Sequence, residues 1–111
     1  MIYLASPYSH PDPLVRHARF DAACRAAARL TLAGTPVLAS VIQGHAMLRY
    51  GVPGDWSFWA PLARAYIARC DELIVLKLDG WRESQGVRAE LALARELGRR
   101  VNYLEPAEAS R

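Results

Sequence analysis

Residues 84–90, with the sequence SQGVRAE, combine the side chains of an anion site with a carboxylate. The pattern predicts a helix that begins at Ser84, whose hydroxyl and free N–H groups can bind a phosphate, while Gly86 lacks the Cβ that would block its approach. Glu90 follows roughly 9 Å further along the helix axis, which suits a phosphate at one end of a ribose and a carboxylate near C1′. Spacing alone leaves a second interpretation open, in which Ser84 only caps the helix and Glu90 is a solvated residue.

Other polar side chains that could complete a pocket lie near the first and second predicted strands. Tyr8 and His10 belong to the loop after the first strand, and Arg16 or Arg19 on the next helix could reach a phosphate. His45 lies in the connection after the second strand. A single histidine in a loop usually has no functional role, so its assignment to the pocket is a hypothesis.

Aromatic residues offer candidate stacking surfaces for a nucleobase. Trp81 directly follows the Asp79-Gly80 turn, at the expected edge of the pocket, and is predicted to contact the substrate. Trp59 and Tyr66 are seven residues apart, so they share a helix face. For this pair we favour packing in the core or at a dimer interface.

The order of these motifs resembles the nucleoside 2-deoxyribosyltransferase-like superfamily. The resemblance rests on an opening YLASPYS that ends the first strand, a long helix, and a later S-x-G-V-x-x-E, and it runs from about Ile2 to Tyr103. Within the superfamily, the chain is similar to a small bacterial and phage group of unknown function. That group has the signatures (Y/F)LA-x-PYS and GWR-x-S-x-G.

Members of this superfamily hydrolyse or transfer N-glycosidic bonds, so the resemblance implies that Glu90 is the nucleophile at C1′. An oxocarbenium-like transition state requires a carboxylate on the face opposite the departing base. In the branch that hydrolyses nucleoside 5′-monophosphates, a serine and a glycine match Ser84 and Gly86 and hold the phosphate, whereas transferases of free nucleosides more often have an aspartate. Ser6 matches a small residue near the sugar or phosphate, and His45 matches a polar residue beside the sugar.

One position departs from the related glycosidases. They carry an aspartate eight residues before the acidic residue that opens the third strand, and counting back from Asp71 gives Ala63. That aspartate orients the sugar or protonates the base, and Asp55, Asp71 or Asp79 could replace it. The departure supports a second hypothesis, a catalytically silent nucleotide-binding or sensing module. A third is a partner-binding subunit without a ligand.

Composition and charge limit the class of protein. A chain of 111 residues, with 52% hydrophobic and 23% charged residues, is typical of one globular domain. The net charge of +3 comes from scattered arginines, which suits a small phosphate-bearing substrate and not a nucleic-acid polymer. No segment approaches the ~20 apolar residues of a membrane span, and the first residues run directly into a strand. We therefore expect a cytoplasmic protein without membrane contact.

Neither the cysteines nor the histidines have metal-ligand spacing. Cys24 and Cys70 are predicted to be small core residues in a reducing compartment. We expect no metal and no cofactor. A chain this short buries a modest fraction of its surface, so self-association into a homo-oligomer is expected to add stability.

The predicted elements that position these residues alternate between strands and helices. Helices are expected to begin at Asp12, Asp55 and Ser84, and to end at Gly34 and Gly98. This order predicts an α/β fold, a flavodoxin-like or Rossmann-like three-layer sandwich with four to five parallel strands. Strands are predicted at residues 1–5, 36–40, 72–78 and 100–104, and helices at residues 14–33, 56–69 and 84–97.

In such sheets ligands bind beyond the carboxyl ends of the strands. The loops SPYSH, SVIQGH and DGWRESQG follow the first three strands, so their polar residues are expected to converge there. Tyr3 lies inside the first strand and is predicted to be a core residue. Residues 1–105 form one predicted domain, and residues 106–111 form a tail that is expected to fray.

Overall fold

Four short strands form one parallel sheet in the computed structural model, which describes residues 1–109. The sheet order is β2-β1-β3-β4, so β1 lies between its neighbours β2 and β3, and the chain reverses direction across the sheet at this point. This is where doubly wound α/β proteins bind ligands. The strands are β1 (Ile2–Ala5), β2 (Val37–Leu38), β3 (Glu72–Leu76) and β4 (Arg100–Leu104).

Helices connect the strands, and three of them begin at side-chain caps that the sequence predicted. Asp12 accepts from the N–H of Leu14, and Asp55 and Ser84 cap the following helices in the same way. These bonds satisfy N–H groups that have no partner inside the helix. The helices are α1 (Pro13–Leu32), α2 (Ser40–Met47), α3 (Trp56–Ala68), α4 (Gln85–Glu96) and α5 (Pro106–Ala109), with a short 3-10 turn at Leu48–Tyr50.

Helices cover both faces of the sheet, as the predicted three-layer sandwich requires. Alternate residues of β1 point to opposite faces: Tyr3 packs with residues of α3 and α4, and Leu4 packs with Ala26 of α1. Cys70 belongs to the first of these clusters. Cys24 is only partly buried on α1, so the prediction that both cysteines are core residues is correct for Cys70 alone.

Two segments that were predicted as loop or tail are helical. The expected loop SVIQGH is part of α2, because Gly44 packs against the indole of Trp59: a Cβ there would lie 3.1 Å from Trp59 Cζ2. Residues 106–109 form α5 because the Arg29 guanidinium donates to the Glu108 carbonyl. The prediction of a frayed tail is wrong for these four residues, and its last two positions lie outside the described residues.

Candidate functional site

The carboxyl ends of β1, β2 and β3 open into a cavity of about 500 Å³. This volume lies in the range of small-molecule pockets, roughly 300–1,000 Å³. Seven of the eight residues that the sequence assigned to the site line this cavity, which brings together the β1–α1 loop, α1, α2 and the first two turns of α4. The seven residues are Ser6, Tyr8, Arg19, His45, Ser84, Gly86 and Glu90.

Glu90 is buried inside the protein and is not a solvated helix residue. Its side chain is 4% exposed, and the hydroxyl of Tyr3 donates to Glu90 Oε2. Burial raises the pKa of Glu90 to about 8, although the Tyr3 hydrogen bond opposes this change. Burial and the nearby Glu90 also raise the pKa of Tyr3 well above its usual value. In the ligand-free protein at neutral pH, Glu90 is therefore mainly protonated.

Tyr3 belongs to the site although the sequence predicted only a core residue. Its ring is buried in the sheet, but its hydroxyl lies between Glu90 Oε2 and Ser40 Oγ, at 2.6 Å from Ser40. A tyrosine in a buried strand requires a partner for its hydroxyl, and this was the available signal. Tyr3 therefore connects the catalytic candidate to the start of α2.

The first turn of α4 forms the expected anion cradle. Ser84 Oγ accepts from the N–H of Val87 at 3.2 Å, so its own proton is free to bind a ligand. A Cβ on Gly86 would lie 3.9 Å from Ser84 Oγ and 4.0 Å from Glu90 Oε1. These two oxygen atoms are therefore no more than about 8 Å apart, closer than expected because helical side chains point toward the N-terminus.

Ser6 presents a polar group that has no partner within the described part of the chain. Its residue is 4% exposed and lines the cavity, and its Oγ makes no hydrogen bond among residues 1–109. Leaving a buried hydroxyl unpaired is unfavourable by about 1–3 kcal/mol. A polar group of a bound ligand would satisfy it.

His45 lies on α2 and pairs with Tyr8. The Tyr8 hydroxyl is 2.7 Å from His45 Nδ1, and the His45 ring stacks on Phe20 with centroids 4.1 Å apart. Burial and the positive charges of His17 and Arg16 lower the pKa of His45. Burial raises the pKa of Tyr8. The pair is therefore a neutral imidazole beside a protonated phenol at the cavity wall.

Arg19 lines the cavity and joins the two loops that border it. Its guanidinium donates to the carbonyl of Ser9 at 2.9 Å and to that of Asp79 at 3.1 Å. Gly80 has φ +89°, and a Cβ there would lie 2.8 Å from Arg19 Nη2. Only glycine suits this position, which holds a positive charge near the α4 cradle.

Trp81 does not line the cavity, so its assignment as a substrate contact is wrong. Its N–H donates to the Leu78 carbonyl in a turn, and its ring packs against Tyr103 with centroids 5.6 Å apart. Trp56 and Trp59 line the cavity instead, because α3 begins at its rim. Trp59, which was predicted to pack in the core or at an interface, is buried and also forms part of this wall.

Two further candidates from the first loop and α1 also lie outside the cavity lining. His10 Nδ1 accepts from the N–H of Asp12 at 3.0 Å. Arg16 donates to the carbonyls of His10 and Pro11. Both side chains stabilise the loop that carries Tyr8.

Of the three aspartates proposed to replace the carboxylate missing at Ala63, only Asp55 lines the cavity. Ala63 itself is buried in α3, away from the cavity. Asp71 binds the N-terminal ammonium at 2.6 Å, at the amino edge of the sheet. Asp55 caps α3, and its bond with the Ser57 hydroxyl lowers its pKa. It is therefore an ionised acceptor and not a proton donor.

Comparison with protein families gives one match. The model of the family described as a domain of unknown function (DUF1937) matches residues 1–105. The chain belongs to this family. The description of DUF1937 assigns no activity, so the resemblance to nucleoside 2-deoxyribosyltransferases stays a prediction. No curated protein matches the chain.

Two searches of residues 1–109 concern metals and membranes. No three His, Cys, Asp or Glu side chains of the described chain are grouped in a way that could hold a metal ion. Over the same residues, no helix combines the length and the apolar character that crossing a membrane requires.

Proposed function

We propose that the cavity binds a nucleoside 5′-monophosphate and that Glu90 breaks its N-glycosidic bond, by hydrolysis or by (deoxy)ribosyl transfer. One observation carries this proposal: the anion cradle of Ser84 and Gly86 lies in the same cavity as a buried carboxyl, with their oxygen atoms no more than about 8 Å apart. A 5′-phosphate in the cradle would bring C1′ toward Glu90.

The two oxygens of Glu90 have different surroundings, which suits a nucleophile. Oε2 is held by the Tyr3 hydroxyl, whereas Oε1 lies on the side of Gly86, near the cradle. In the proposed reaction Oε1 forms a bond to C1′, the C1′–N bond breaks, and its electron pair leaves with the base. Attack by water or by a second base at C1′ then releases the sugar and restores the carboxylate.

Only the deprotonated form of Glu90 can attack C1′. Because burial raises the pKa of Glu90 to about 8, the proposal requires kcat/KM to rise with pH and to level off above this value. The same pKa favours one alternative function, a nucleotide sensor in which protonated Glu90 donates a hydrogen bond to the ligand. A sensor would bind most tightly below pH 8.

The test is incubation with a panel of nucleoside 5′-monophosphates and the corresponding nucleosides between pH 6 and 10, with free base measured by chromatography. We expect base release from a monophosphate, and release at background for Glu90→Gln. Glu96→Gln is the matched control, because Glu96 is an exposed residue of the same helix that pairs with Arg64. Tight binding without release by the wild type would support the sensor and contradict the enzyme.

A further inference from the structure

The polar groups of the cavity follow one another across the sheet. The cradle of Ser84 and Gly86 follows β3, and Glu90 is bonded to Tyr3 of β1. The Tyr3 hydroxyl also contacts Ser40, the first residue of α2, and α2 carries His45 further along. The chain thus places Glu90 between the cradle on one side and His45 on the other.

A nucleoside monophosphate has the same order of groups, with C1′ between the phosphate and the base. With the phosphate in the cradle and C1′ at Glu90, the base extends toward the β2 side of the cavity. The Tyr8 hydroxyl and His45 Nδ1 form a hydrogen-bonded pair on that wall, 2.7 Å apart. This pair therefore faces the leaving group of the proposed reaction.

We propose that the Tyr8 hydroxyl, held by His45, donates a hydrogen bond to the departing base and stabilises the negative charge that develops on it. This inference rests on the proposed function, and it assigns the leaving-group role that Ala63 cannot fill. When the C1′–N bond breaks, the electron pair moves onto the base, and the base anion takes its proton from water. Tyr8 keeps its own proton throughout the step.

His45 determines the direction of the Tyr8 hydrogen bond. In the tautomer with its proton on Nδ1, His45 donates to the Tyr8 oxygen and leaves the phenol proton for an acceptor atom of the base. Stacking on Phe20 fixes the plane of the imidazole ring. Preorganised donors of this kind act mainly on the transition state, because the charge on the leaving group is largest there.

Other polar groups of the cavity are less suited to this role. Asp55 accepts the N–H of Phe58 and the hydroxyl of Ser57, so it has no proton to donate. Arg19 is held by two carbonyls at the border of the cavity. Tyr8 is the donor whose partner lies on the β2 side.

The test compares Tyr8→Phe with wild type on two substrates that differ in their leaving group. The first is a nucleoside 5′-monophosphate with an unactivated base, and the second is the 5′-phosphate of a 4-nitrophenyl furanoside. We expect Tyr8→Phe to lower kcat/KM by about 100-fold on the first substrate and by less than about three-fold on the second, since 4-nitrophenolate needs little stabilisation. A role in folding alone would lower both rates equally.

Variants of His45 test the second half of the pair. His45→Asn places an amide N–H near the position of Nδ1 and is expected to retain most of the activity, whereas His45→Leu should behave like Tyr8→Phe. The double variant Tyr8→Phe/His45→Leu should be no slower than either single variant, because both changes remove one interaction. Tyr50→Phe, the same change at a residue that is 77% exposed and outside the cavity lining, is the control.

The possible failures are distinguishable. If wild type releases the leaving group from neither substrate, the proposed function is wrong and this inference falls with it. If wild type is active but Tyr8→Phe loses the same factor on both substrates, the glycosidic reaction stands and the assignment of Tyr8 is refuted. Additive losses in the double variant would also refute the pairing of Tyr8 with His45.

Discussion

Replacing Glu90 with glutamine removes an ionisable group from the protein interior and keeps its shape almost unchanged. Glu90 is 4% exposed, and burial raises its pKa from 4.5 to about 8. Glutamine does not titrate. The difference in the free energy of unfolding between wild type and Glu90→Gln must therefore depend on pH, and its pH dependence isolates this one carboxyl.

The sign of the effect follows from the order of the two pKa values. Below pH 4.5 the carboxyl is protonated in the folded and the unfolded chain, so its contribution to stability is fully present. Between pH 4.5 and about 8 the folded chain holds the proton and the unfolded chain releases it, so stability falls as pH rises. At about 1.4 kcal/mol per pH unit, the total loss is about 5 kcal/mol.

Urea unfolding at pH 5, 6, 7, 8 and 9, followed by tryptophan fluorescence, measures this difference. Relative to Glu90→Gln, the wild type should lose about 4 kcal/mol of unfolding free energy between pH 5 and 9, a large part of the 5–15 kcal/mol typical of a domain. Other groups titrate in both proteins and cancel. The control Glu96→Gln should show no such trend, because pairing with Arg64 lowers the pKa of Glu96 below its usual value.

A flat difference between wild type and Glu90→Gln across this range would refute the reasoning. It would mean that Glu90 is ionised in the folded protein at pH 5, and that burial does not control its protonation. A difference that grows in favour of the wild type with rising pH would have the same meaning. Either result would also remove the reason to expect activity to rise toward pH 8.

Three further substitutions test the cavity wall. Ser84→Ala should weaken binding of a nucleoside monophosphate about ten-fold in calorimetry and leave nucleoside binding nearly unchanged, since it removes one hydrogen bond to a charged group; equal losses would contradict the cradle. Gly86→Ala should stabilise the fold by about 0.5 kcal/mol through lower unfolded-state entropy, because its Cβ would have only ordinary contacts, the nearest at 3.6 Å from Trp56 Cε3. It should nevertheless weaken monophosphate binding, and unchanged affinity would show that the phosphate lies elsewhere. Gly80→Ala should lower the free energy of unfolding by more than about 1 kcal/mol in urea titration, because φ is +89° and its Cβ would lie 2.8 Å from Arg19 Nη2; an unchanged midpoint would contradict this.

Local interactions made much of the fold predictable. The caps at Asp12, Asp55 and Ser84 are side-chain bonds to N–H groups two or three residues away, so sequence spacing determines them. The last strand was predicted with the bounds Arg100–Leu104 that the structure has. The cradle was predictable for the same reason, because its parts lie within one helical turn.

The sequence did not determine α2, because the decisive contact is distant in the chain. Glycine disfavours a helix interior, so the segment around Gly44 was interpreted as a loop. Trp59 packs against this glycine from a different helix. Such packing depends on how two helices meet and overrides local propensity.

The chemistry of the site was decided by the tertiary structure. Tyr3 and Glu90 are 87 residues apart, and Tyr8 and His45 are 37 residues apart, so no local pattern indicates either pair. The sequence determined which groups exist and on which elements they lie. The crossovers of the sheet decided which groups meet, and burial decided the protonation state of Glu90, because the free energy of a charge depends on the solvent that neighbouring elements exclude.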